Sequence, residues 1–250
     1  MGEVLRTRRE GAALVLELNR PERHHAINAA LADALIAAFD MAEADDDVRV
    51  VVVSGAGERA FCAGQDMLEA SGVEAGARDA KVSSAMFAVE RVERCRLPVI
   101  AAVNGYCFGG GAALAIACDI RLGAHTASFR LPGAEYGLVV GAAALPRLVG
   151  AAKAKELIFT ARRFDAAEAL ACGLLNAVHE PASLLPAALD MAAAIAANSP
   201  RAVQESKRII DRATLVEAAC EAERAINREL RGSTEQSARF RDATRRVTGR

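Results

Sequence analysis

Hydrophobic positions along the chain change period several times, and each change marks an element. ALVLEL at Ala13–Leu18, VRVVVV at 48–53 and PVIAAV at 98–103 are short β-rich runs. The last two are nearly continuous, as expected of strands buried on both faces. Between them the apolar residues fall at helical spacing. Asn28 is placed to cap a helix whose stripe runs Leu31, Leu35, Phe39, Ala42, and residues 82–94 read as a second helix. Strands alternating with helices predict an α/β architecture.

Farther along, helix-start signals take over. Asp165 with Glu168 forms a capping pattern closed by Gly173, Ser199 precedes Pro200, and Thr214 with Glu217 repeats the capping spacing. From about residue 184 the chain reads as helical. The expected division is an α/β core over 1–183 and a helical region over 184–250, with no internal repeat.

Composition narrows the function classes. With 250 residues, 52% of them hydrophobic, the chain can bury a full core, which excludes disorder and small disulfide scaffolds. Thirty-one basic against thirty-two acidic residues leave a net charge of -1, so the chain as a whole has no footprint for nucleic acid or an anionic membrane. Locally, Arg239, Arg241, Arg245, Arg246 and Arg250 form a charged tail, read as solvated, with a polyanion contact as the alternative. Six cysteines without CxxC pairing or metal-ligand spacing suit reduced, buried thiols, and no apolar stretch approaches a membrane span. These features predict a cytoplasmic protein with no metal.

Two segments carry candidate chemistry. NGYCFGGG, residues 104–111, joins an apolar run to an Ala/Leu-rich stretch, yet fits neither GxGxxG nor GxxxxGK[ST]. Its glycines leave backbone N–H groups bare at a helix start, equipment for holding an oxygen that gains negative charge. Close packing of helix on strand is the other reading. AFCAGQDMLEA, residues 60–70, again exposes backbone through Ala63 and Gly64 after a buried strand. Two such elements after adjacent strands can aim two N–H groups at one oxygen.

These segments, with NRPERHHAIN (19–28), LPVIAAV (97–103), ACDIRLG (117–123), LPRLVG (145–150) and ALACGLLNAV (169–178), resemble the enoyl-CoA hydratase/isomerase, or crotonase, family in the family's order. The resemblance implies a spiral of strand-strand-helix turns with a helical C-terminal trimerisation region, assembled as trimers or hexamers. It implies a coenzyme A thioester as ligand, with no separate cofactor. It places an oxyanion hole at the N–H groups of Gln65 and Gly110, adenine along the main chain of Ala63, Gln65 and Met67, Gly109 beside the substrate, and a phosphate contact at Arg23.

The same resemblance exposes gaps. The family's hydratases use two glutamates, and the matching positions here are Ala113 in GGGAALA and Gly133 in RLPGAEYGL. Glu135, two residues beyond Gly133, shares its face if the segment is extended, about 6.5 Å away, and could serve as a single base. A surface carboxylate is the alternative; Tyr136 is a second candidate, with packing as its other role. His24 and His25 are expected at the surface. The stretch 137–150 is shorter than the family's usual glycine-rich run. Function is therefore expected to be either a hydratase/isomerase-group enzyme that stabilises a thioester enolate, or a catalytically silent acyl-CoA binder.

Overall fold

The structure, a computed structural model, describes residues 3–71 and 83–249. In chain order the strands are β1 Leu5–Glu10, β2 Ala13–Leu18, β3 Val50–Gly55, β4 Ala60–Cys62, β5 Val99–Val103, β6 Tyr106–Phe108, β7 Ile120–Ala124, β8 Ser128–Arg130, β9 Arg163–Asp165 and β10 Ala177–His179. The helices are α1 Ala29–Ala44, α2 Met67–Ala70, α3 Ser84–Glu93, α4 Gly110–Ala117, α5 Pro146–Val149, α6 Ala151–Thr160, α7 Ala166–Ala171, α8 Pro181–Ala196, α9 Pro200–Thr214, α10 Glu217–Leu230 and α11 Thr234–Thr248. Residue 82, expected within the second helix, lies outside the described residues.

Two sheets form. One runs β1-β2-β3-β5-β7-β10, parallel except for the β1–β2 hairpin; the other runs β4-β6-β8-β9, parallel except for β8–β9. Successive pairs β3/β4, β5/β6 and β7/β8 each give one strand to each sheet, and helices follow the first two pairs. That is the crotonase-like spiral of strand-strand-helix turns. The turns open at Val50, Val99 and Ile120; their unequal lengths hide the repeat from the sequence.

Burial explains the apolar runs. Val51, Val53, Val99 and Ala101 join the core beneath α1 and α3, while Val50, Val52, Ile100 and Ala102 pack on the opposite face against Leu184, Ala188 and Ala192 of α8. Consecutive residues thus reach different apolar layers. The division expected between 183 and 184 falls inside α8, which completes the sheet's outer layer. The stripe Leu31, Leu35, Phe39, Ala42 is fully buried, and Asn28, Asp165 and Ser199 each cap their helices by accepting a backbone N–H.

Thr214 does not cap. It is the last residue of α9, where its hydroxyl donates to the Ile210 carbonyl at 2.8 Å, and Val216 takes the N-cap position of α10 without a side-chain bond. Ile209, Ile210 and Val216 stay exposed on α9 and the following turn. Among the described residues, no single helix is long and apolar enough to cross a membrane.

Candidate active site

A cavity of about 870 Å³ opens between the strand-end loops and the helices α3, α10 and α11. Of the residues expected at the site, Arg23, Ala63, Gln65, Met67, Gly109 and Gly110 all line it.

The backbone of 62–66 is held in an extended path. Ile27 donates to the Gly64 carbonyl at 2.7 Å and accepts from the Asp66 N–H at 3.0 Å. Those bonds occupy one side of the segment, which turns the Gln65 N–H to the other side, toward the cavity. Asp66 is pinned by a buried ion pair with Arg20 at 2.9 Å, and it caps α2 through the N–H groups of Leu68 and Glu69. Below, Gly109 donates to the Arg130 carbonyl at 2.9 Å and starts α4, whose first N–H groups have no partner within the helix. Among the described residues no acceptor is paired with the N–H of Gln65 or Gly110.

The two segments touch. A Cβ placed on Gly64, whose φ is +99°, would lie 2.9 Å from Gly110 N, and one on Gly111 would lie 2.1 Å from the Cys62 carbonyl oxygen. The first position needs glycine for its conformation and both for the close approach. Two unpaired donors are thereby fixed side by side at one end of the cavity.

The far wall is made of side chains. Along α3, Ala85, Met86, Val89, Glu90 and Glu93 line the cavity, and the rise of 1.5 Å per residue puts Glu93 about 12 Å from Ala85. Along α10, Cys220, Glu223, Arg224, Asn227 and the following Arg231 line it at spacings of three and four. Burial, with the neighbouring Glu223 and Glu90 adding to it and Arg224 and Arg147 opposing, pushes the Glu93 carboxyl above its usual range. Glu223 is also raised by burial, against the amides it accepts from: Gly141 and Ala143, each at 2.8 Å. Asn227 holds both backbone groups of Val139. Nothing in the sequence signalled Glu223 and Asn227, because they meet Gly141 and Val139 from more than 80 positions away along the chain.

Glu135 departs from expectation. Residues Ala134–Tyr136 form a 3-10 turn rather than an extended segment, so positions 133 and 135 do not share a face. Glu135 does not line the cavity; its carboxylate pairs with Arg130, which does, and with Arg246 of α11. Tyr136 does line the cavity, edge-on to Phe240, its hydroxyl raised mainly by burial. His25 is buried, not superficial: at 1% exposure its Nδ1 accepts from the Arg20 N–H at 3.0 Å, which leaves Nε2 to donate to the Ala56 carbonyl. Desolvation lowers its pKa and keeps it neutral. Its ring braces the backbone at Arg20 and Ala56. Among the described residues no group of three His, Cys, Asp or Glu is placed to hold a metal ion.

A family profile described as enoyl-CoA hydratase/isomerase matches residues 8–247. The chain belongs to the enoyl-CoA hydratase/isomerase family. It is 39% identical over 210 residues to a short-chain-enoyl-CoA hydratase of Clostridium acetobutylicum, covering 82% of this chain and 79% of that one. Among solved structures, an enoyl-CoA hydratase/isomerase from Pseudoalteromonas atlantica superposes with a TM-score of 0.85 at 30% identity, covering 96% of this chain and 97% of the other. A monofunctional enoyl-CoA isomerase from M. smegmatis gives a TM-score of 0.72 at 32% identity, covering 84% and 92%. The family's members process acyl-CoA thioesters, and the cavity lies among the segments that carry the family's motifs.

Proposed function

We propose that the protein binds an acyl-CoA thioester with its carbonyl oxygen on the N–H groups of Gln65 and Gly110, and stabilises the enolate formed there. The observation that carries this reading is the pair of unpaired backbone donors held together on the cavity wall. Donors fixed before the reaction need no reorganisation as charge develops, and each contributes on the order of 3 kcal/mol. Arg23 at the mouth suits a phosphate of CoA, and the main chain of Ala63 and Met67 suits the adenine.

Hydration through two glutamates is disfavoured. Ala113 lines the cavity without a carboxylate. At Gly133 there is no room for one: a Cβ there would lie 2.9 Å from both the Leu138 carbonyl oxygen and a Val140 methyl. The shortened loop has filled the space. Proton transfer next to the thioester, as in isomerisation, asks less of the site, and Tyr136 and Glu93 leave the wall polar rather than wholly apolar. That polarity favours an enzyme over a silent binder. Association of the chain into trimers or hexamers is part of the same proposal, and light scattering at micromolar concentration tests it.

The deciding experiment is deuterium incorporation from heavy water into butyryl-CoA, read by mass spectrometry beside a crotonyl-CoA hydration assay. Exchange at the carbon next to the thioester with little hydration is the expected result. Tight acyl-CoA binding without exchange at any chain length would leave the silent binder.

A further inference from the structure

Arg231 follows the last turn of α10, and its side chain enters the cavity. Among the described residues no carboxylate lies within ion-pairing distance of it. Its side-chain hydrogen bond is a long donation, 3.4 Å, from Nη1 to Gln65 Oε1, an oxygen that already accepts from Ser83 Oγ at 2.7 Å. Its Nε is buried without a partner, and burial alone lowers its pKa, with no acid contributing.

The buried guanidiniums of Arg20 and Arg121 are provided for, whereas Arg231 is partly buried. Arg121, 3% exposed, donates to the carbonyls of Ala115, Cys118, Asp119 and Leu174, and Arg20 holds Asp66 and the Ala26 carbonyl. Withdrawing a cation from water costs several kcal/mol unless an anion or a set of acceptors offsets it. Among the described residues that offset is missing at Arg231, and the position faces the ligand space. The Gln65 side chain links the two ends of the arrangement. Its backbone N–H faces the proposed thioester oxygen, while its side-chain tip holds the guanidinium.

We infer that Arg231 receives a second negative charge, carried on the acyl group, so that the preferred ligands are CoA thioesters of short dicarboxylic acids. The inference rests on the acyl-CoA reading above. Because the tip of the Gln65 side chain meets Arg231, a thioester oxygen on the Gln65 N–H and a carboxylate on Arg231 would be separated by about one glutamine side chain, the length class of a succinyl or glutaryl group. Ala85, Met86 and Val89 of α3 give the same cavity apolar lining for the methylene chain. A planar guanidinium with free donor positions matches a carboxylate in two parallel hydrogen bonds, and such charge-assisted bonds are the strong ones.

Calorimetry with succinyl-CoA and glutaryl-CoA against butyryl-CoA, valeryl-CoA and free CoA tests it, on the wild type, Arg231→Gln and Arg231→Lys. The wild type is expected to bind the dicarboxylic thioesters about tenfold or more tightly than their neutral counterparts. Arg231→Gln should bring that ratio to about one, and Arg231→Lys should retain part of it; circular dichroism confirms that both variants fold. Equal affinity for charged and neutral thioesters in the wild type overturns the inference and leaves the acyl-CoA reading intact. Arg231→Gln weakening free CoA and every thioester alike also overturns it, because the anion served is then a CoA phosphate. Failure of all thioesters to bind better than CoA removes both the inference and the reading beneath it.

Discussion

The two walls of the cavity are built from different chemistry. One wall is main chain: Gly64, Gln65, Gly109 and Gly110, held by bonds to Ile27 and Arg130, with buried thiols behind. The other is side chain: Glu93, Glu223, Arg224 and Arg231, delivered by helices from distant parts of the sequence. A donor made of backbone keeps its identity under almost any substitution but tolerates no added atom. A donor made of side chain is replaced by a single mutation while the fold survives. The first wall suits a reaction common to a family, and the second suits the choice of ligand.

Substitutions can break that contrast, the largest effect coming from the backbone wall. A Cβ at Gly110 would lie 2.9 Å from the Ala85 Cβ and 3.4 Å from Gln65 N. Gly110→Val is expected to weaken an enolate-mimicking thioester about a hundredfold, roughly 3 kcal/mol, and free CoA far less. Calorimetry showing equal losses would remove Gly110 from the oxyanion assignment.

On the side-chain wall, Glu223→Ala frees the amides of Gly141 and Ala143. It should cost about 2 kcal/mol in urea unfolding, because a buried donor left unpaired is expensive. A cost near zero would mean that water already serves those amides.

Glu93→Gln tests the electrostatics of the same wall and has a sign. Burial raises the Glu93 pKa, so the folded state holds its proton at pH values where the unfolded state has lost it. Stability is therefore complete below the ordinary glutamate pKa and falls as pH rises through the raised value. The glutamine variant should melt about 2 °C higher than wild type at pH 8 and no higher at pH 4. The same gain at both pH values would point to packing instead of charge.

The smallest effect is expected at Glu135. With its carboxylate on Arg130 and Arg246, Glu135→Gln should leave proton exchange unchanged and shift stability by less than about 1 kcal/mol. Lost exchange with retained acyl-CoA binding would show that the carboxylate leaves its arginines and enters the cavity.

Legibility in the sequence follows the same divide. Strands buried on both faces, the stripe of α1, the caps at Asn28, Asp165 and Ser199, and the two glycine-containing segments can be read directly, because each depends on residues within one turn or one strand. Glu135 misled because a local switch from extended chain to a 3-10 turn rotates a side chain by far more than sequence spacing reveals. Thr214 carries the residue types of a cap, yet it ends the preceding helix. His25 looks polar and is buried because Arg20 and Ala56 bracket its ring. Arg231 was invisible: only the fold brings it to Gln65.

Cys62 lies directly beneath the glycine turn, with its thiol on the His25 carbonyl at 3.2 Å and its pKa pushed up to about 12 by burial. Cys118, behind α4, is likewise pushed to about 12. Both thiols are fully buried, so neither can meet an alkylating reagent without local opening, and burial keeps both protonated at neutral pH. Their labelling rate is thus a clock: it counts how often the backbone wall opens. Cys172, only partly covered on α7's terminal turn, marks the time of local fraying in the same tube. A ligand that seals the cavity should stop the first clock and leave the second running.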